Sequence, residues 1–356
     1  MVLIKNSIRN GESMEDIQIQ NQKITDKIRE ISTQLLEEKE VDLIIGYSDG
    51  TFPLSNLPVF VREVDEVEKL MWNNLCYVNL ASYLTSNISR FIRKEESEEN
   101  LKIGLVAKGC VARTIIQLSL ENQIDLKDII FIGIKCNGII NRKRIEKEIG
   151  EREITNLSVR GQDIIVEGKD FEEEFPFDEY LMELCKVCKI KSPPQIPKLS
   201  ENIKGDFQDI SDLDLNFDDI KEFEEKSPEE RWEYINDLLQ SCTRCYACRE
   251  VCPFCYCNLC FVDQNMPQWF GKTTEIPDII SFHLIRALHL AGRCVGCGSC
   301  SSVCPVGIDL SLINRKIEEI VKERFNFFSG ADLTTIPPMM THDMDDNQNF
   351  MLEEEG

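Results

Sequence analysis

Two runs of cysteine decide what chemistry this chain can do. Cys242, Cys245, Cys248 and Cys252 are followed at once by Pro253, and Cys294, Cys297, Cys300 and Cys304 by Pro305. Both runs read C-x2-C-x2-C-x3-C-P. Three cysteines at this spacing share a tight loop with their sulfurs turned to one centre. The fourth leaves the loop at the start of a helix and serves the other centre of a pair. This is the ligand pattern of two cubane [4Fe–4S] clusters. It assigns Cys242, Cys245, Cys248 and Cys304 to a first cluster, and Cys294, Cys297, Cys300 and Cys252 to a second. The closing proline, with its φ already fixed, suits a first helical turn. Structural zinc is the competing chemistry, but zinc motifs rarely carry four cysteines in one run with a terminal proline.

Eight further cysteines lie outside these runs. Cys110 and Cys136 each end an apolar strand, and in a parallel sheet ligands bind beyond the carboxyl ends of the strands. Cys185-Lys-Val-Cys188 can fold back over the same place, so Cys110, Cys136, Cys185 and Cys188 form a candidate third cubane set. The competing reading makes Cys110 and Cys136 small buried apolar residues. Cys255, Cys257 and Cys260 form a compact C-x-C-x2-C that needs a fourth ligand from elsewhere. Cys76 is the one cysteine left over. A fourth cluster from Cys255, Cys257, Cys260 and Cys76 stays open, as does an exchange of Cys76 with the third set. Alone, Cys76 reads as a core residue.

His283 and His289 are six apart and share no helical face, which argues for packing or hydrogen bonding near the clusters rather than a joint metal site. His342, in the acidic tail, carries little meaning. No Ser-His-Asp set, Walker loop or G-x-G-x-x-G is readable. Lys108, Arg113, Lys135 and Arg142 flank the strand ends, where they could hold phosphate groups, although a solvated surface is the commoner place for such residues.

The elements that must position these thiols follow from periodicity. Ile24, Ile28, Ile31 and Leu35 predict a helix over 21–38. Strands are expected over 41–46 and 57–61, and a helix over 64–85. A strand over 102–107, a helix over 111–121 and a strand over 128–134 form a strand–helix–strand unit with a parallel pair. A charged helix over 142–150 and two strands around Gly161 follow. Pro193, Pro194 and Pro197 and an acidic run then read as a linker. Ser227-Pro228-Glu229-Glu230 is a strong helix start. That helix delivers Cys242. A second helix, over 276–291, joins the two cysteine runs with Ile279, Ile280, Leu284, Ala287 and Leu288 on one face. A last helix spans 310–325.

The expected fold is an α/β N-terminal domain, a mixed or parallel sheet with flanking helices, followed by an all-α C-terminal dicluster ferredoxin domain. The divisions are an N-terminal helical extension over 1–39, the α/β domain over 40–190, an acidic linker over 191–226, the dicluster domain over 227–328 and a disordered acidic tail over 329–356.

At 356 residues with an apolar fraction of 42%, the chain has enough material for such cores. Its net charge of −23 argues against a nucleic-acid partner, which needs a basic footprint. The acid is concentrated: residues 201–230 hold twelve Asp or Glu against three Lys. No leader is visible at the N-terminus, and no apolar run of eighteen residues predicts a membrane span. Sixteen cysteines in a reducing cytoplasm point to metal ligands rather than disulfides.

Three stretches carry a family resemblance: Ala107-Lys108-Gly109-Cys110-Val111-Ala112-Arg113, Gly133-Ile134-Lys135-Cys136-Asn137-Gly138, and the Cys185/Cys188 pair. With Trp72-Asn73-Asn74-Leu75-Cys76 and Asn79-Leu80 upstream, they resemble the coenzyme F420 hydrogenase/dehydrogenase beta-subunit family over roughly residues 40–190. The C-terminal cysteine runs are similar to the dicluster module fused to members that serve heterodisulfide-reductase-type complexes. The resemblance implies FAD beside a cluster in the N-terminal half, with Lys108, Gly109 and Arg113 in the flavin or F420 region. A flavin accepts a hydride, as from reduced F420 or a nicotinamide, and releases electrons singly to clusters. It also implies partner subunits of heterodisulfide-reductase, formate dehydrogenase or hydrogenase type. The function expected is that of an electron-input or relay subunit of a larger oxidoreductase. The alternatives are a flavin-free polyferredoxin-like relay, and a structural protein holding zinc.

Overall fold

The computed structural model describes residues 16–85, 101–197, 199–213 and 215–342. The ends of the predicted N-terminal extension and acidic tail lie outside the described residues. A helix, α1 (Ile17–Glu37), comes first. The Asp16 carboxylate accepts from Gln18 N and starts α1 earlier than the apolar spacing alone indicates. Ile28 and Leu35 are buried on its inner stripe, with Ile24 and Ile31 packed beside them.

Strands β1 (Leu43–Asp49) and β2 (Asn56–Val61) form an antiparallel pair. The helix expected over 64–85 is instead two short 3-10 turns, Val64–Lys69 and Leu80–Leu84. Asparagines explain the break. Asn73 Oδ1 accepts from Leu75 N, Asn79 Oδ1 accepts from Ala81 N, and Asn74 donates to the Gly138 carbonyl. Such bonds compete with a continuous helix.

β3 (Ile103–Ala107), α2 (Gly109–Leu120) and β4 (Ile129–Gly133) form the expected unit, and β3 and β4 are parallel in register from Ile103/Ile129 to Ala107/Gly133. α3 (Arg142–Ile149) leads into a separate antiparallel sheet, β5 (Ile154–Arg160), β6 (Asp163–Gly168) and β7 (Glu172–Pro176). The third strand of that sheet, acidic and nearly free of apolar residues, was not evident from pattern. A single turn, α4 (Glu183–Lys186), carries Cys185.

The proline-containing stretch is more than a linker. Its β8 (Ile203–Gly205) pairs in parallel with β4 and completes a five-stranded sheet in the order β2-β1-β3-β4-β8. Three residues are too few for a periodic signal. α5 (Asp218–Glu224) follows in the acidic run.

From Ser227 onward the described elements are helical: α6 (Pro228–Leu239), α7 (Ala247–Glu250), α8 (Ile276–His289), α9 (Ser299–Ser302) and α10 (Ser311–Phe325). The capping box at the start of α6 is complete, Ser227 and Glu230 each accepting from the other's backbone N–H. A small core of Leu239, Ile279, Ile280, Ile308 and Leu310 lies here. No helix among the described residues is long and apolar enough to cross a membrane.

α2 ties this helical part to the sheet. It is buried nearly all round, including the polar Arg113, Thr114 and Gln117. Arg113 donates from Nε to the Ser329 carbonyl and from Nη1 to the Val295 carbonyl, and stacks 3.9 Å over the Phe328 ring. At the other end, Glu121 takes a bidentate pair from Arg293 and a 2.6 Å bond from the Tyr256 hydroxyl.

Candidate functional site

The sheet brings the four candidate cysteines of the third set to one place. Cys110 lies in the first turn of α2, one residue past the β3–α2 junction at Gly109. A Cβ at Gly109 would stand 2.2 Å from the Ile190 carbonyl oxygen, so only glycine lets the two segments pass this closely. Cys136 N donates to the Lys191 carbonyl at 2.9 Å, and Met182 N to the Ile139 carbonyl at 2.8 Å. These bonds hold the 182–191 segment across the strand ends. Cys110, Cys136, Cys185 and Cys188 thereby line one cavity of about 450 Å³, with Lys108, Gly109 and Arg113 in its wall.

The first set gathers around the N-terminal end of the helical part. Cys242, Cys245, Cys248 and Cys304 line a cavity of about 390 Å³ with His283 and Cys300. α7 packs on α9, which brings the two cysteine runs back to back. Cys252 crosses to the second run. Burial raises the Cys300 thiol to about 11, with Cys297 and Cys252 adding to the rise. Burial likewise raises Cys294, reinforced by Cys297 and Cys300. Cys252 is thus near Cys300 of the second run, and Cys304 lines the cavity of the first.

The three sets are neighbours. Cys297, of the second set, lines the same cavity as Cys110, and among the thiols it adds most to the rise that burial causes at Cys110. Cys300, also of the second set, lines the cavity of the first. The second set therefore stands between the other two.

Cys76 does not join Cys255, Cys257 and Cys260. It is buried beside Lys108, accepts a hydrogen bond from Asn56 Nδ2 at 3.2 Å, and burial raises its thiol to about 12. Cys255 instead neighbours Cys252 and Cys260, while Cys257 is exposed. Nor are Lys108, Gly109 and Arg113 arranged for a dinucleotide. Gly109 is packed on backbone, Arg113 gives Nε and Nη1 to carbonyls and sets Nη2 3.7 Å from the Glu318 carboxylate, and Lys108 Nζ donates to the Cys76 carbonyl at 2.5 Å between the rings of Tyr47 and Trp72. These three residues do not fit a flavin phosphate. Lys135 is exposed, and Arg142 donates to the Leu54 carbonyl and pairs with Glu146.

Two residues bear on the fit of an iron–sulfur group: Lys108, expected from sequence to hold phosphate or flavin, and Arg286, which sequence reasoning passed over. Lys108 is 1% exposed and Arg286 is 4% exposed. Among the described residues neither has a carboxylate at ion-pair distance; each donates to a carbonyl, of Cys76 and of Cys248 respectively. A buried cation is stable only with compensating negative charge. The thiols around Lys108 are Cys110, Cys136 and Cys76, and those around Arg286 are Cys252, Cys300, Cys255 and Cys248. Thiolates carrying an anionic cluster supply that charge, so donor set and surroundings fit [4Fe–4S] groups. Among the described residues no three His, Cys, Asp or Glu side chains gather as a single-ion site.

His283 meets its expected role. Its Nε2 lies 3.4 Å from the Cys242 sulfur, and burial lowers its pKa to about 4, which keeps the ring neutral. His289 is exposed and stands edge-on to Phe261.

Comparison with known proteins agrees with the motifs. Residues 290–308 match the 4Fe-4S binding domain family. The chain is 24% identical to the F420-dependent formate dehydrogenase subunit beta of Methanocaldococcus jannaschii, over 86% of this chain and 91% of that protein. It is 24% identical to the F420-dependent formate dehydrogenase 1 subunit beta of Methanococcus maripaludis, over 84% of this chain and 88% of that protein. A chain of the F420-reducing [NiFe] hydrogenase complex from Methanosarcina barkeri is 16% identical, with a TM-score of 0.34, over 47% of this chain and 62% of that one. This chain thus spans less than two thirds of that hydrogenase chain, and at this score the likeness carries no argument. Over most of its length, the chain is similar to the beta subunits of F420-dependent formate dehydrogenases.

Proposed function

We propose that this protein is an iron–sulfur electron-transferring subunit of a larger oxidoreductase. The observation that carries the reading is the adjacency of three cysteine sets: of the second set, Cys297 lines the cavity of the third and Cys300 the cavity of the first. A [4Fe–4S] group takes up and releases one electron at a time. The chain's part is to supply thiolates, to bury the inner set, and to hold the three at fixed separations through the Arg113 and Glu121 contacts of α2. Reading the helical part as a dicluster ferredoxin module belongs to the same proposal, as do a cytoplasmic location and partner subunits of formate dehydrogenase, hydrogenase or heterodisulfide-reductase type. The sixteen free cysteines are in keeping with a reducing compartment.

FAD, with hydride exchange from F420 or a nicotinamide, is the finer reading that the resemblance implies. No step is assigned through it, because the residues nominated for it are committed to internal contacts. That commitment favours the second reading, a flavin-free relay. Anaerobic purification with bound partners tests both. The expected result is brown protein with iron and acid-labile sulfide for three or more [4Fe–4S] groups. Extractable flavin and reduction by F420, NADH or NADPH, assayed side by side, separate the two readings. A colourless protein without sulfide would sink both.

A further inference from the structure

α8 joins the two cysteine runs, and its His283 lies in the wall of the first-set cavity with Cys242, Cys245, Cys248 and Cys304. The residue is 5% exposed, and its ring stands edge-on to Phe282. Nε2 lies 3.4 Å from the Cys242 sulfur. Nδ1 is buried and meets no partner among the described residues. A proton on Nδ1 would be a buried donor without an acceptor, which is costly. A cysteine that ligates iron is a thiolate and can only accept. Both facts put the proton on Nε2, aimed at sulfur. The Cys242 sulfur also accepts from the backbone N–H of Arg244 at 3.4 Å, and the Cys304 sulfur from that of Ile308 at 3.3 Å. Those donors come with the loop whatever its side chains; the imidazole is supplied by residue identity. In the second set the comparable side-chain contact is longer, 3.8 Å from Asn314 Nδ2 to the Cys300 sulfur.

We propose that His283 is a positioning residue for electron transfer: its Nε2–H, donated to the Cys242 thiolate, makes the first centre more readily reduced. The proposal rests on the iron–sulfur reading above. Reduction adds one electron, hence one negative charge, to the centre, with no protein bond made or broken. In the test a low-potential chemical reductant supplies that electron. Part of the added charge falls on the ligand sulfurs, so a donor already aimed at one of them binds the reduced form more strongly than the oxidised. The first set includes the exposed Cys245. The donor therefore favours an electron at the outward end of the array.

The test is a redox titration followed by electron paramagnetic resonance, on the full chain purified without oxygen, comparing wild type with His283→Phe and His283→Gln. The signal missing from Cys245→Ala identifies the first centre. At the potential where that centre is half reduced in wild type, His283→Phe, which keeps a planar ring and loses the donor, is expected to lower its reduced-to-oxidised ratio about tenfold, equivalent to ~59 mV for a one-electron couple. The third centre, among Cys110, Cys136, Cys185 and Cys188, should not move. His283→Gln, which keeps an N–H near the Nε2 position, should keep the ratio. With isotopically labelled histidine, the reduced first centre of wild type should show a nitrogen coupling by electron–nuclear double resonance that His283→Phe lacks. An unmoved first centre in an iron-replete His283→Phe protein overturns the proposal, as does an equal fall in His283→Gln. Should His283→Phe fail to retain iron, the labelled wild type decides: a histidine coupling at the first centre supports the donor, and its absence refutes it. Wild-type protein lacking iron and sulfide is a distinct outcome that removes the iron–sulfur reading, and this inference with it.

Discussion

Cys110 is the thiol on which the third set turns, because the strand end and the first turn of α2 leave its side chain nowhere else to point. Cys110→Ala should lower iron by about one cluster's worth and leave the resonance signals of the other two centres in place; unchanged iron would strike it from the ligand set. Lys108, beside it, makes a sharper test because its two effects have opposite sign. With the cluster present, Lys108→Met removes the partner of an anionic group and should lower the melting temperature. In iron-free protein the same change removes a buried charge that has lost its counter-ion, and should raise it. Melting curves of the four samples check this. At this scale the sulfurs were legible and the cations were not. Cysteine spacing in a cluster loop is set by the reach of sulfur to iron, so it shows in sequence. Lys108 was noticed only as a possible phosphate or flavin holder and Arg286 not at all, because nothing local signals that folding buries either.

At the scale of elements, the departures have physical causes. α8 was expected to turn Leu284 and Leu288 inward, yet these are 44% and 58% exposed while His283 and Arg286 are buried. Ile279, Ile280 and Ala287 of the expected face are buried, and beside them the helix turns His283 and Arg286 toward the cysteine loops, where nitrogen donors meet sulfur and carbonyl. The helix expected over 64–85 gave way to asparagine bonding, and β8 was too short to register beside its prolines. The strand–helix–strand unit around Cys110, by contrast, was readable almost to the residue, since both strands are continuous apolar runs buried on two faces. α2 also carries the join between the two parts. Glu121→Gln breaks the buried Arg293 pair and leaves a guanidinium poorly matched, so it should cost about 3 kcal/mol. Anaerobic chemical denaturation measures it, and a loss under about 0.5 kcal/mol, the range of ordinary surface changes, would show that the pair does not hold the parts together.

For the whole molecule, the placement of the cysteines led to an expected sheet-based part and helical part, and gave no sign of the contacts that join them. Contacts such as Arg113 to Ser329, or Ser299 to the Tyr77 carbonyl, join residues more than two hundred positions apart and leave no local trace in the sequence. They matter because electron transfer requires the three sets to keep their spacing.

The sets also differ in how far they lie from the surface. Cys245, of the first, is exposed, and Pro305 and Val306 beside it face solvent, whereas Cys136 and Cys300 further in are buried. Air should therefore corrode this protein from one end. Brief exposure should bleach the outermost centre first, leaving a preparation that is still brown but no longer passes electrons along all three centres. Colour would then overstate the working fraction, and timed resonance spectra set against turnover with an artificial acceptor would expose the gap.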